Sequence, residues 1–438
     1  MPLSISIEIR TPGQEETSRI MRSSYRLWLM TLSAMSVSVL QISCASARDI
    51  SVSSLKKAVQ SQVPGSMNQL ETMVNIDSGS RDATGLKTIS DYLQAELEAL
   101  GGTVQRLSTP PASGDMLIGT FKGTGKVSFL LLAHMDTVYP PEAARTWSFE
   151  TQGDTATGPG VIDDKGGITV ILGALQILRQ IGFDRFGTIT VAFNSDEEIG
   201  SPGSRGMIEK LGSQNDYALS CEPGGDQRII ATSGIATLTM HVQGKASHAG
   251  VAPQDGRNAL VEAADIIGRT SALSDAARGL KFNWTMLNAG TRHNIIPDQA
   301  VATADIRYIH DEDVTALMAH IEDLAARPAV SGTQVNFEFD RHRPPMMPTD
   351  KARKMAQVAA SAAIEFGKPI KILDTPFGGG SDAAYAAASG KSGVVESFGI
   401  GGEHAHTFGE ETADLTTLPT SLYVMARTII RLSGETQR

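Results

Sequence analysis

Residues 127–136 read VSFLLLAHMD, an unbroken apolar run closed by a histidine and, two positions on, an aspartate. A run this short, uncharged until its end, is what a strand buried on both faces needs. The pattern recurs at residues 188–198 (TITVAFNSDEE) and 217–223 (YALSCEP), each an apolar run with acids just past its end. Between the first two, Ile, Val and Leu recur at helical spacing over residues 166–181, so the predicted order is β-α-β with a mostly parallel sheet. Ligands of such sheets gather beyond the carboxyl ends of the strands. Here that edge carries His134, Asp136, Glu197, Glu198 and Glu222.

Before this centre, helical spacing through residues 55–100, closed by Gly101-Gly102 as a C-cap signal, predicts two helices. From about 233 to 344 the rhythm becomes strand (235–242), helix (258–273), strand, strand (300–308), helix (314–326), strand (334–339). That is the order of a split β-α-β, ferredoxin-like sandwich. Helices predicted over 351–366 and 415–432 flank Gly378-Gly379-Gly380 and return the chain to the first architecture. The expected class is α/β: one mostly parallel sheet domain in two parts, 48–232 and 345–438, with 233–344 inserted between them and a leader over 1–47.

The chain has 438 residues, 41% of them hydrophobic, enough for sizeable cores. A net charge of -10 without a long basic run argues against nucleic acid or an anionic membrane as main partner and for small molecules. Arg22 and Arg26 precede a mostly apolar run, 27–42, that ends at Ala45-Ser46-Ala47, the form of a secretory signal cleaved after Ala47. The run is shorter than the roughly 20 residues of a membrane span. The expected location is periplasmic or secreted, with no membrane contact after cleavage. Met21 is an alternative start, and Cys44 an alternative lipid anchor in a poor lipobox context. Cleavage leaves Cys221 alone, so no intrachain disulfide is expected.

A zinc site needs neutral imidazole and ionised carboxylates brought from different strand ends, and a two-metal site needs one shared carboxylate. His134 and Asp136, at i and i+2, share a face, so the aspartate can hold the second ring nitrogen. Asp163 and Asp164 follow the turn Gly158-Pro159-Gly160. On an extended segment the adjacent Glu197 and Glu198 point in opposite directions, one to metal and the other to substrate and its proton.

The segments HMDTVY (134–139), GPGVIDDKGG (158–167), SDEEIGS (195–201), CEP (221–223), GKASHAG (244–250), HNIIP (293–297), ADIRY (304–308), GGGSDAAY (378–385) and HTFGEE (406–411) stand in one order along the chain. Together they resemble the aminoacylase and carboxypeptidase G metallopeptidase family, in particular bacterial glutamate carboxypeptidases of the folate-hydrolysing type. The resemblance implies two zinc ions bridged by Asp163, one completed by His134 and Glu222, the other by Glu198 and His406. His406 is preferred to His404 because Glu411 follows it by five. Glu197 is implied as general base, Asp136 as the partner of His134, and 163–164 as a cis peptide. His248 is implied as the oxyanion donor, reaching across a homodimer from an inserted dimerisation and lid domain. Asn294, Arg307, Arg343 and Ser381 are implied near the substrate's carboxylate, which a guanidinium fork suits.

The implied activity is hydrolysis of the amide bond before a C-terminal glutamate, or another free-acid residue, of an N-acyl or peptidyl substrate. An N-acyl-amino-acid deacylase or dipeptidase on the same scaffold stays open, as does a catalytically silent binding protein. Cobalt or manganese suits the same ligands. The stretch 223–228 is shorter than in the glutamate carboxypeptidases, and Arg228 is the candidate for a basic substrate residue there. Taken without the resemblance, Arg307 is equally an ion-paired strand residue, and Arg343 beside Pro344-Pro345 a hinge residue.

Overall fold

The computed structural model describes residues 50–434. The leader, with Met21, Cys44 and the cleavage point at Ala47, lies outside the described residues. In spatial order the main sheet runs Thr103–Ser108, Asp115–Lys122, Thr188–Asn194, Ser128–His134, Tyr217–Ser220 and Gly393–Val395. The last four strands are parallel and the first two antiparallel. The hairpin 103–122 was not foreseen. Its first strand, TVQRLS, is an edge strand of alternating exposure and carries no apolar run to announce it.

Alternation along the strands builds two cores. Phe129, Leu131 and Ala133 face the helices Val52–Val74, Ala83–Ala99, Lys165–Gln180, Asp350–Phe366 and Leu418–Gly434. Leu130 and Leu132 face Arg205–Gln214 and Ala383–Ala387. Lys165–Gln180 is buried nearly all round, hence its apolar composition.

Residues 234–343 carry a second sheet, in the order Lys281–Ala289, Gln299–Tyr308, Gly234–Gln243, Gln334–Arg343, antiparallel throughout. Leu238, Met240, Ala302 and Ile306 pack beneath the helices Ala259–Thr270 and Asp311–Ala325, while Thr237, Thr239 and His241 occupy the more open face. An antiparallel sheet tolerates one solvated face. The chain enters and leaves this region side by side: Thr232 N donates to Met346 O at 2.9 Å and Met346 N to Thr232 O at 3.1 Å.

A four-stranded ribbon (Gly401–Glu403, Thr412–Asp414, Thr155–Thr157, Glu150–Gln152) docks the loop bearing His406 beside the turn that leads to Asp163. The peptide between Asp163 and Asp164 is cis.

Candidate metal centre and active site

Parallel pairing sets His134 opposite Asn194, so the histidine and the loop after residue 194 leave the same sheet edge. At that edge His134 Nε2 lies 3.0 Å from Asp163 Oδ1 and 3.9 Å from Glu222 Oε2. On the other side of Asp163, His406 Nε2 lies 3.1 Å from Oδ2 and 3.1 Å from Glu198 Oε2. Two ligand groups thus overlap at one carboxylate, each of whose oxygens faces a different imidazole. His406 has φ +68°, uncommon for a side chain larger than glycine. His404 is exposed, 3.8 Å from Glu403.

The ligands are held by groups that sequence reading largely missed. His134 Nδ1 lies 3.0 Å from the Asp136 carbonyl and 3.4 Å from its carboxylate. With Nδ1 as donor, Nε2 keeps a lone pair towards the centre. The Asp136 carboxylate accepts instead from Glu197 N (3.1 Å), Glu198 N (3.2 Å) and the Ser80 hydroxyl (2.8 Å). It therefore sets both glutamates. Buried Glu411 accepts from Gly160 N (3.2 Å), Ile162 N (2.9 Å), Asp163 N (3.3 Å) and the Tyr139 hydroxyl (2.7 Å), fastening the turn that presents Asp163. Lys165 Nζ donates to the carbonyls of Pro159 (3.0 Å) and Ile76 (2.9 Å) from a fully buried position. Gly160, at φ +72°, would press a Cβ to 2.6 Å from Thr137 Cγ2. Asp136 beside His134, the turn Gly158-Pro159-Gly160 and the acid five residues after His406 were marked in the sequence; Ser80, Tyr139 and Lys165 were not.

The residues implied for substrate are distributed differently. Arg343 Nη2 donates to Glu197 Oε1 at 2.5 Å and to its carbonyl at 2.9 Å, so this guanidinium sits on the implied base. Arg307 forks onto Asp305 at 2.9 Å and donates to Gly378 O at 3.0 Å, linking the inserted region to the glycine loop. The buried Ser381 hydroxyl accepts from Ala383 N at 3.1 Å. His248 and Asn294 stand on neighbouring exposed segments, Ala249 N donating to Asn294 O at 3.0 Å. His248 Nδ1 accepts from Gly250 N and Val251 N, each at 3.2 Å, which leaves Nε2 as the outward donor. Among the described residues neither His248 nor Asn294 is hydrogen-bonded to the ligand groups of its own chain. Arg228 is fully buried, stacked 4.6 Å over Phe398 and donating to Ser397 O at 2.8 Å, so it is a core cation.

Five acids (Asp163, Asp164, Glu197, Glu198, Glu222) face two imidazoles. Burial pushes Glu197 up to about 8 against the opposing pull of Arg343, and raises Glu198 and Glu222. Burial acts to lower His134, but Asp136 and Asp163 overcome it and hold the ring well above its usual range. Hydrogen bonds to Asp163 and Glu198 lift His406 to about 10. Asp164 Oδ1 and Glu198 Oε1 are buried without a hydrogen-bond partner. Excess buried negative charge, orphaned carboxylate oxygens and mixed nitrogen and oxygen donors fit a pair of divalent cations such as zinc.

Such a site suits metal-assisted hydrolysis. The profile of peptidase family M20/M25/M40 matches residues 130–431, and the chain belongs to that family. It is 42% identical to carboxypeptidase G2 of Pseudomonas sp. (strain RS-16) over 384 residues, 87% of this chain and 92% of that protein. It is 26% identical to N-acetyl-L-citrulline deacetylase of Xanthomonas campestris pv. campestris over 362 residues, 78% of this chain and 92% of that one. Among solved structures, aminopeptidase PepT from Bacillus cereus shares the fold with a TM-score of 0.74 at 23% identity, covering 85% of this chain and 99% of its own.

Proposed function

We propose that the protein is an exported, homodimeric dizinc carboxypeptidase that removes a C-terminal acidic residue, glutamate first, from N-acyl or peptidyl substrates. The observation that carries the dizinc hydrolase part of this reading is Asp163, whose two oxygens face two separate imidazoles beside a buried Glu197 that belongs to neither ligand group. The 42% identity to a carboxypeptidase over most of both chains supports the substrate class.

His134, Asp163 and Glu222 would hold one ion and Asp163, Glu198 and His406 the other. When bound, the ions would polarise the scissile carbonyl and acidify a water. Glu197, buried beside both ligand groups and a member of neither, is placed to take that water's proton and return it to the leaving amine. His248 Nε2 would donate to the oxyanion from the inserted region of a partner subunit. Arg343 has two uses here, because an incoming carboxylate competes with Glu197 for the same guanidinium. Binding of a free acid would then release the base as it orients the substrate.

The test is hydrolysis by the zinc-loaded protein of N-acyl-glutamate, the matching aspartate, leucine and arginine compounds, and a glutamate α-amide. Cleavage confined to the acidic free acids is expected. Turnover of the leucine or arginine compounds would make the protein a broader deacylase or dipeptidase, and no turnover would make it a binding protein.

A further inference from the structure

A cavity of about 470 Å³ opens beside the centre, on the Glu198 side. Its walls are Val138, Pro140, Pro141 and Ile199, with Arg81 and Glu198 also in the lining. Val138 and Ile199 are 42% and 44% exposed and border the same concave space. Exposed apolar surface in a concave site marks a place where a ligand is covered. Of the other polar groups in the lining, Asp82 caps a helix through Thr84 N (3.1 Å) and Gly85 N (3.0 Å). The hydroxyl of Ser80 is taken by Asp136 and that of Tyr139 by Glu411. Glu198 faces His406. Among the described residues, Arg81 is the one charged side chain of the lining with neither an ion pair nor a hydrogen bond.

The cavity's place relative to the reacting bond follows from the two glutamates. Glu197 turns to Arg343, and through the strand end at 343 to the side where Arg307 meets the glycine loop. Glu198 turns the other way, to His406. If the free carboxylate of the leaving residue lies on the Arg343 side, the acyl half of the substrate must leave the centre past Glu198 and Ile199, into this cavity. We infer that the cavity is the acyl-side subsite and takes an apolar acyl group whose far end carries an anion, read by Arg81. The inference rests on the amide-hydrolase reading above and adds the chemistry of the half of the substrate which that reading leaves open.

The test compares N-(4-carboxybenzoyl) and N-benzoyl derivatives of one leaving residue, the one cleaved fastest, on the zinc-loaded protein and on Arg81→Gln and Ile199→Ser. The expected result is a KM about fivefold lower for the carboxylated acyl group, the scale of an exposed ion pair. That difference should vanish in Arg81→Gln with kcat unchanged, the mark of binding that does not alter between ground and transition state. Ile199→Ser should raise KM for both compounds and leave an N-acetyl substrate unaffected. Equal KM values in the wild type, or an equal shift of both compounds in Arg81→Gln, would overturn the assignment. Calorimetric titration of terephthalate into wild type and Arg81→Gln separates this idea from the catalytic one. Weaker binding by the variant upholds the subsite even where no amide is cleaved, and equal binding removes it even where the enzyme is active.

Discussion

Glu197 is buried, bonded to Arg343 and pushed up to about 8 by that burial, whereas its neighbour Glu198 is turned to His406. On the proposed reading, adjacent carboxylates divide the work of base and ligand. Glu197→Gln should lower kcat by roughly 10²- to 10⁴-fold, the range for a lost general base. Zinc content, read by elemental analysis, should not change, and a variant that also loses its metal would show Glu197 to be structural. Glu396 gives a second test at this scale. Burial pushes it up to about 7, against the Ser381 hydroxyl and Arg343, while the unfolded chain ionises near 4.5. Between those values the folded chain keeps a proton that the unfolded chain has lost, so this group's contribution to stability is full below about 4.5 and falls as pH rises through 7. Glu396→Gln should match wild type near pH 4.5 and exceed it above pH 7 by at most about 3 kcal/mol. Urea unfolding at the two pH values checks this, and a gap that does not change with pH would exclude the titration.

At the level of elements, the turn 158–164 is a poor structure by itself, made of glycines, a proline and adjacent acids. Glu411 makes it rigid from the far end of the chain by accepting three backbone N–H groups and one phenol. Glu411→Ala would leave those donors unpaired in a buried place, at a cost of about 2–4 kcal/mol. It should also weaken metal binding 10- to 100-fold, as loss of groups that orient ligands does. Chelator competition measures the second effect, and unchanged affinity would mean that the turn holds Asp163 unaided. The inserted sheet meets the active site in a similar manner. The Tyr385 hydroxyl donates to the carbonyl of His342 and lies 3.1 Å from that of Gly200, so the strand that ends at Arg343 and the loop bearing Glu197 meet at one side chain.

Considered as a molecule, one chain holds the proposed ligands and base, but His248 bonds only locally, with its donor nitrogen facing outward. If the oxyanion donor comes from a partner subunit, His248→Ala and Glu197→Gln should complement each other. A hybrid dimer of the two variants has one site with an intact Glu197 and an intact His248, so it should recover one working site of two from inactive parents. Separately tagged chains, co-purified and assayed, test this. No recovery in a verified hybrid would place His248's action within its own subunit, or remove it from catalysis.

The parallel strands, their helices and the inserted βαββαβ order were legible because burial on two faces demands continuous apolar runs and burial on one face demands alternation, and both leave marks in sequence. A strand-end histidine or a pair of glutamates is by itself an ordinary feature, and His134, Asp163, Glu198, Glu222 and His406 stood out as a set only through the resemblance of nine ordered segments; the fold gathers them into two overlapping groups. The hairpin 103–122 was not, since an edge strand needs no apolar run. Nor were Ser80 on Asp136, Glu411 on the turn of residues 160–163, or Arg343 on Glu197, because each joins residues 56 to 251 positions apart through hydrogen bonds that impose no local pattern. Sequence alone determined which groups are present for the chemistry and on which edge they stand. Tertiary packing decided which oxygen faces which nitrogen, and that Arg228, free to be a substrate residue on paper, is sealed beneath Phe398, where no substrate reaches it.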